Sequence, residues 1–172
     1  MQTETGTAPP LTLAEARGYI DRALEKAREL HQRGTFVVMD ESGNVVSISR
    51  IEGAPVAGVG VSRAKAYMAA TTQEPTAQFA ERMHRFPERF SAYQAILPDH
   101  YFPGPGGMPI KKGDRVVGGM STGPGIRPLA RVPGLDPSKL LVNGEVANVE
   151  DLIIAHALDV PYVNQHQGQE VH

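Results

Sequence analysis

The spacing of apolar residues near the start of the chain predicts an amphipathic helix. Thr12-Leu-Ala-Glu15 has the composition of a capping box, and apolar residues follow at intervals of mostly three and four as far as Leu30. Gly34, a residue type preferred just beyond a helix, ends the pattern. The next two runs, 35–40 and 45–51, are rich in β-branched residues and enclose a polar turn, which predicts a hairpin.

The rest of the chain predicts further helices and a second hairpin. Gly113-Asp114 is a turn sequence between two short apolar runs, and the helical patterns on either side of this hairpin are broken by proline and glycine. The predicted elements are helices over 56–71, 76–83 and 149–158 and strands over 108–112 and 115–120. This order predicts an α+β fold, with an antiparallel sheet of about five strands flanked by helices.

The distribution of proline and polar residues predicts the domain boundaries. We expect one domain over 12–160, between a flexible N-terminal tail at 1–11 and a polar C-terminal tail at 161–172. The Pro-rich run 124–148 contains several leucines and valines, and is therefore too apolar for a free linker. We expect it to be an ordered insertion that reaches over a pocket or a neighbouring subunit.

Glycine is concentrated in one stretch, because residues 101–125 contain 8 of the 18 glycines in the chain. Gly104, Gly106 and Gly107, interleaved with prolines, suit a loop whose backbone comes close to another group. Gly118 and Gly119 lie on a predicted strand, where the missing side chains leave space for a ligand, a helix or another subunit. The stretch is therefore a candidate binding surface.

Composition and charge exclude several classes of partner. A formal net charge of -2 gives no basic surface for nucleic acid, and only 6% of the residues are aromatic. No apolar run has the roughly 20 residues that a membrane span needs, and the first residues lack the basic and apolar regions of a signal peptide. We therefore expect a cytoplasmic protein with neither a nucleic-acid nor a membrane partner. The absence of cysteine excludes disulfides and thiolate catalysis.

Four segments of the chain resemble one known family. They are LTLAEA, VVMDESGNVVSISRIEGA, SRAKAYMAATTQEPT and GGMPIKKGDRVVGGMSTG, which lie in this order across residues 11–123. The chain is similar to the GlcG/HbpS family of small haem-binding-like proteins, which also occurs as a domain of some cobalamin adenosyltransferases. The resemblance implies a profilin-like or PAS-like antiparallel sheet and a closed homo-oligomer, often a large one. Members of the family are linked to haem binding or degradation, and others sit among catabolic enzymes.

Two cations are candidates for the propionates of a haem or for another anionic ligand. Arg50 ends the second predicted strand, and its planar guanidinium can hold a carboxylate through two hydrogen bonds. A salt bridge with Glu52 or Asp40 is the structural alternative. Lys65 lies in the middle of the second predicted helix among alanines that allow a close approach, and a solvated helix face is its alternative.

The remaining candidates for the ligand site lie in and around the Gly-rich stretch. His100, just before it, is the histidine best placed to contact a ligand or to be the axial metal ligand of a haem. Tyr101 follows it, and the backbone N–H groups of Gly106 and Gly107 suit an anion. Ser121 lies in a G-x-S-x-G sequence, but prolines follow it instead of a helix, so we interpret it as a strand residue lining a pocket.

These residues predict two alternative functions. The first is a binding protein for haem or a related tetrapyrrole, in which His100 binds the iron and the two cations bind propionates. The second is a catabolic enzyme, an isomerase, lyase or hydrolase, that acts on a small anionic metabolite in a pocket under the Gly-rich hairpin. In both, the ligand site gathers Arg50, Lys65 and the glycine backbone at one place.

Overall fold

The computed structural model describes residues 8–96, 101–123 and 134–164 and confirms the predicted α+β fold. Within these ranges the elements are α1 (Leu13–Glu29), β1 (Thr35–Asp40), β2 (Val45–Arg50), α2 (Gly58–Thr72), α3 (Thr76–Arg85), α4 (Pro87–Ile96), β3 (Gly107–Lys112), β4 (Arg115–Gly123), a 3-10 helix (Pro137–Leu140), β5 (Leu141–Val142), β6 (Glu145–Val146) and α5 (Val149–Leu158). No helix of the described residues is both long and apolar enough to cross a membrane.

The central sheet is antiparallel and has four strands in the order β2-β1-β4-β3. The β1–β2 turn forms because Asp40 Oδ1 accepts hydrogen bonds from the backbone N–H groups of Ser42 and Asn44, each at 2.9 Å. In the strand register, Thr35 is opposite Arg50 on one side and opposite Gly123 on the other. These three residues therefore lie side by side at one end of the sheet, which we call the Gly123 end.

The sheet is covered by helices on both faces, and the alternation of side chains along β1 shows why. Phe36 and Val38 face one way, into a core that also contains buried residues of α1 and α5. Val37 and Met39 face the other way, into a smaller core with α2 and α3. Every residue from Phe36 to Met39 is at most 1% exposed, as expected for a strand with helices on both sides.

Helix α1 follows its sequence pattern closely. Thr12 and Glu15 form the predicted capping box, in which Thr12 Oγ1 accepts from the Glu15 backbone N–H at 3.2 Å and Glu15 accepts from the Thr12 N–H at 2.8 Å. Lys112 of β3 also binds the Glu15 carboxylate, and this hydrogen bond, followed by those from Thr12, lowers the pKa of Glu15 to about 2. The cap thus joins the start of α1 to the edge of the sheet.

Helix α2 packs unusually close to β4, because both elements carry small residues where they meet. A Cβ atom on Gly119 would lie 2.3 Å from the Ala66 carbonyl oxygen and 2.7 Å from the Ala70 nitrogen. On Gly118 it would lie 2.2 Å from the Met39 carbonyl oxygen. Of the three neighbours considered for these glycines, a ligand, a helix or another subunit, the structure shows a helix at Gly119, and Met39 of β1 lies against Gly118, so the space is not open to another subunit.

The two expected tails and the Pro-rich run lie only partly within the described residues. Residues 8–11 run along the β3–β4 hairpin, where Arg115 donates to the Ala8 carbonyl at 2.7 Å and Lys112 donates to the Pro10 carbonyl at 2.9 Å. In the Pro-rich run, residues 134–148 form the 3-10 helix and the β5–β6 hairpin, and Leu140 is buried in the main core. Residues 124–133 lie outside the described residues.

Candidate functional site

Lys65 is a buried cation in the middle of α2. The residue is only 3% exposed, and its Nζ lies 2.7 Å from Glu150 Oε2 and 3.3 Å from the Thr122 carbonyl oxygen. The small residues Ala66 and Ala70 allow the helix to lie against the sheet, which places the lysine over the Gly123 end. The alternative interpretation, a lysine on a solvated helix face, is therefore wrong.

The partner of Lys65 comes from the first turn of α5. Asn148 caps that helix by accepting from the backbone N–H groups of Glu150 and Asp151, at 3.0 and 3.2 Å. The cap orients the Glu150 carboxylate toward Lys65, and the side chain of Glu150 remains 15% exposed. Burial raises the pKa of Glu150, and the attraction of Lys65 offsets only part of that effect.

The Gly-rich loop is held against the same helix turn. The Gly106 N–H donates to Asp151 Oδ1 at 2.7 Å, and the Thr122 N–H donates to the Gly106 carbonyl at 2.8 Å. Gly106 has a φ of +91°, and a Cβ there would lie 2.6 Å from Glu150 Oε2, so glycine is required both by conformation and by space. A Cβ on Gly107 would lie 2.7 Å from the Thr76 side chain. The Gly106 N–H, which was predicted to bind a ligand anion together with the Gly107 N–H, is thus bonded to a carboxyl group of the chain itself.

Serine hydroxyls close the space between α2 and the Gly123 end. Ser121 Oγ donates to the Ser62 carbonyl at 2.6 Å, and both residues are fully buried. Ser62 Oγ in turn lies 2.9 Å from the Thr35 carbonyl and 3.1 Å from the Gly123 carbonyl. Because Ser121 is sealed and bonded to a backbone carbonyl, it lacks the access and the adjacent base that a nucleophile needs. This agrees with its interpretation as a strand residue, but the fully buried hydroxyl does not line an open pocket as that interpretation expected.

Phe102 lies over this buried charge. Its ring centroid is 5.8 Å from Lys65 Nζ, within the range of a cation–π contact, and the side chain is 45% exposed. An aromatic face that is open to solvent on one side and backed by a cation on the other suits a planar anionic ligand. We call Lys65, Phe102, Gly106, Thr122 and Glu150 together the Lys65 site.

Tyr101 lies next to Phe102 in the chain, but its side chain belongs to a separate aromatic cluster. It is 5% exposed, stacks on Tyr93 with ring centroids 5.9 Å apart, and meets the edge of Phe79 at 5.5 Å. Its hydroxyl is 2.9 Å from Thr71 Oγ1, and burial raises its pKa. The backbone N–H and carbonyl of Tyr101 are both bonded to the Gln94 amide, which fixes the start of the Gly-rich loop.

Arg50 lies at the Gly123 end of the sheet, on the exposed edge strand. Its guanidinium donates a hydrogen bond to the Ala54 carbonyl, across the turn that follows β2. Among the described residues it forms no ion pair with Glu52 or Asp40, and Asp40 is bonded to its own turn. The salt bridge that was considered as a structural role for Arg50 is therefore not formed. Arg50 stabilises the turn after β2 instead.

The predicted metal ligand, His100, lies outside the described residues. The described residues include His31, His84 and His156, and all three are exposed. In ranges 8–96, 101–123 and 134–164 no group of three or more His, Asp or Glu residues could hold a metal ion. Iron ligation by His100 therefore stays a prediction.

Reasoning from the sequence missed Phe102 and Glu150, which belong to the Lys65 site, and Asp151, which holds its Gly-rich loop. The signal present is Asn148, then Val149, then two acidic residues before an apolar run. This pattern predicts a capped helix start, and acidic residues there usually face solvent. Their burial depends on α5 packing against the Gly-rich loop, a contact between distant segments that local spacing does not reveal.

Comparison with known proteins gives one family and several similar structures. The model of the family described as haem degrading protein HbpS-like matches residues 11–125, more than half of the chain. Klebsiella pneumoniae protein ORFY is 20% identical with a TM-score of 0.66 over 92% of this chain and 95% of that one. HbpS is 20% identical with a TM-score of 0.68 over 92% and 95%. A PduOC:heme complex is 16% identical with a TM-score of 0.67 over 92% and 100%. No curated protein sequence matches the chain at a significant level.

Proposed function

We propose that this chain, which belongs to the HbpS-like family, is a binding protein for haem or a related tetrapyrrole, and that the ligand binds at the Lys65 site. The observation that carries the proposal is a buried ammonium group under a half-exposed aromatic ring, 5.8 Å away. One similar structure of the same fold is described as a complex with haem, which supports the ligand class. We also propose that the protein is cytoplasmic.

The arrangement suits the two chemical parts of such a ligand. The face of Phe102 offers a stacking surface for the macrocycle, and Lys65 offers a cation for a propionate. Arg50 lies two strands away from Gly123, roughly 10 Å across the sheet at the usual strand spacing, and serves in this proposal as a second, peripheral cation. His100 is the proposed iron ligand. A haem bound in this way would supply the redox chemistry of its iron.

A second candidate function, an enzyme acting on a small anionic metabolite, has support from one specific contact. Lys65 Nζ and Glu150 Oε2 are 2.7 Å apart at the edge of the buried region, and burial raises the pKa of Glu150. A carboxyl group with a raised pKa beside an ammonium group is a suitable acid–base pair for proton transfer. An isomerase or lyase would use this pair, whereas a binding protein needs only the cation.

Titration with haemin tests the proposed function. We expect a stoichiometric Soret shift with the native protein, and affinity about tenfold lower after Phe102→Ala, because loss of a stacking surface costs on the order of 1 kcal/mol. Phe86→Ala is the matched control, since Phe86 is 42% exposed and also carries a cation, Arg89, over its ring. It should bind haemin like the native protein.

The same titration examines Arg50 and separates the two functions. Arg50→Lys keeps the charge but loses the planar fork, so we expect affinity to fall by about 1–3 kcal/mol. Unchanged affinity with a lower melting temperature would assign Arg50 to the turn at Ala54 alone. A weak haemin signal that is the same in the native, Phe102→Ala and His100→Ala proteins would reject haem and favour the enzyme.

We also propose that the protein is a homo-oligomer, and the edges of the sheet support this. The β3 edge carries Pro109, Lys111 and Lys112, which prevent pairing with another strand, but β2 has neither lysine nor proline. Val45 and Ile48 on β2 are each 42% exposed. Sedimentation should give a species larger than the 18.5 kDa chain, and Ile48→Lys should shift it toward the monomer. A native protein that sediments as a monomer at micromolar concentration would contradict the proposal.

A further inference from the structure

Both anion-binding groups of the Lys65 site are already bonded to carboxylates of the chain. The ammonium group of Lys65 contacts Glu150 at 2.7 Å, and the Gly106 N–H contacts Asp151 at 2.7 Å. The two acidic residues are consecutive, and the Asn148 cap holds both. A ligand carboxylate that reaches Lys65 must therefore exchange with one that is present.

The two internal carboxylates differ in how easily they can leave. Asp151 is 0% exposed, and it fixes the Gly-rich loop to α5. The side chain of Glu150 is 15% exposed and contacts Lys65, over which the half-exposed ring of Phe102 lies. A longer and partly exposed side chain can rotate into solvent without moving the backbone, whereas Asp151 cannot. Glu150 is thus the exchangeable partner of Lys65.

We propose that Glu150 occupies the position of a ligand carboxylate on Lys65, and that a planar ligand bearing carboxylates binds by displacing it. This inference rests on the proposed function, because it names the part of a tetrapyrrole that meets Lys65. It assigns to Glu150 a role outside the region 11–125 that the family model matches. In the free protein Glu150 keeps the buried ammonium neutralised, and in the complex the ligand does so.

Electrostatics, and not only the limited space, requires that a ligand carboxylate at Lys65 replace that of Glu150. Glu150 faces two charged groups, Lys65 from α2 and Asp151 from its own helix. A second carboxylate at Lys65 would add a like charge to a poorly solvated position that already has two acids around one cation, which is strongly unfavourable. The chain's own carboxylate therefore competes with the ligand and limits affinity.

Removing the competing charge should tighten binding of ligands with free carboxylates. For haemin, we expect the dissociation constant of Glu150→Gln to be about tenfold lower than that of the native protein, as expected when a desolvated competing charge is removed. Haemin dimethyl ester, which lacks free carboxylates, should bind both proteins equally. Haemin should also raise the melting temperature of Glu150→Gln more than that of the native protein, because it neutralises Lys65 again.

Two further variants keep the experiment decisive. Glu145→Gln makes the same change in net charge on the exposed β6 strand and should leave haemin affinity unchanged. Glu150→Asp retains the charge but shortens the side chain, so it should show a smaller tightening in the same direction, even where Glu150→Gln does not fold. Haemin affinity that is equal or weaker in both Glu150 variants would overturn the inference and leave the proposed function standing. A native protein that does not bind haemin would overturn both.

Discussion

Replacing Lys65 by methionine should lower the free energy of unfolding by about 3–5 kcal/mol near neutral pH, the cost of breaking a buried ion pair by removing one partner. Methionine keeps the length and most of the volume of lysine, so the change removes mainly the charge. The loss arises because Glu150, which lies 2.7 Å from Lys65 Nζ, would be left as an uncompensated charge with most of its surface buried.

The pH dependence distinguishes this explanation from a simple packing defect. In Lys65→Met, Glu150 keeps the burial that raises its pKa and loses the cation that lowers it. The folded state then binds a proton more tightly than the unfolded chain, whose Glu has its ordinary pKa of 4.5. The contribution of Glu150 to the stability of the variant should therefore be fully present below pH 4.5 and should be lost as pH rises through the folded-state pKa of Glu150. A deficit that is independent of pH in urea denaturation would contradict the role of Glu150.

Two controls accompany the Lys65 measurement. The double variant Lys65→Met with Glu150→Met should recover most of the lost stability, because no buried charge remains and the site becomes apolar. Lys26→Met provides the surface comparison, since Lys26 is paired with Glu29 at 3.0 Å on the exposed side of α1. It should cost less than about 1 kcal/mol.

Replacing Gly119 by alanine should destabilise the fold by at least about 3 kcal/mol, at the upper end of the range for overpacking a core. The new Cβ would lie 2.3 Å from the Ala66 carbonyl oxygen and 2.7 Å from the Ala70 nitrogen. Both are backbone atoms of α2, so no side-chain rotation relieves the contact, and the helix must move away from the sheet. The midpoint of chemical denaturation measures the effect.

Gly60 is the matched control for Gly119, because it lies on α2, the helix against which Gly119 packs, and a Cβ there would meet nothing within 4 Å. Gly60 does not have a positive φ, so alanine fits its backbone conformation. Gly60→Ala should therefore stabilise the protein by about 0.5–1 kcal/mol through helix propensity. Equal effects of the two substitutions would show that the α2–β4 contact is looser than the structure indicates.

The sequence predicted correctly the elements whose buried residues recur at a regular spacing. Helix α1 buries one face, through Ala16, Ile20, Ala23 and Ala27, and β1 begins and ends where its β-branched run does. Helix α2 is buried on more than one side and carries small residues, so the period does not identify Lys65 as an inward-facing residue. Helix α4 was not predicted, and none of its side chains is buried.

The candidate site was predictable only in its local parts. The glycines of the loop and the second helix could be recognised as places of close approach, and the structure brings Lys65, Gly106, Gly107 and Ser121 to the same end of the sheet. The contact between Lys65 and Glu150 joins residues 85 positions apart. Such a pairing depends on the packing of α5, which the spacing of residues within either segment does not encode.

The position of α5 has a consequence for any shortened version of this protein. The helix lies beyond residue 125, where the family match ends, yet Ile153 and Ile154 are fully buried in the main core. A fragment cut at residue 125 would expose the α1 side of that core to water and would deprive Lys65 of its carboxylate. The segment that defines the family by sequence is therefore shorter than the cooperative unit that must fold, and any shortened version of the protein must keep α5.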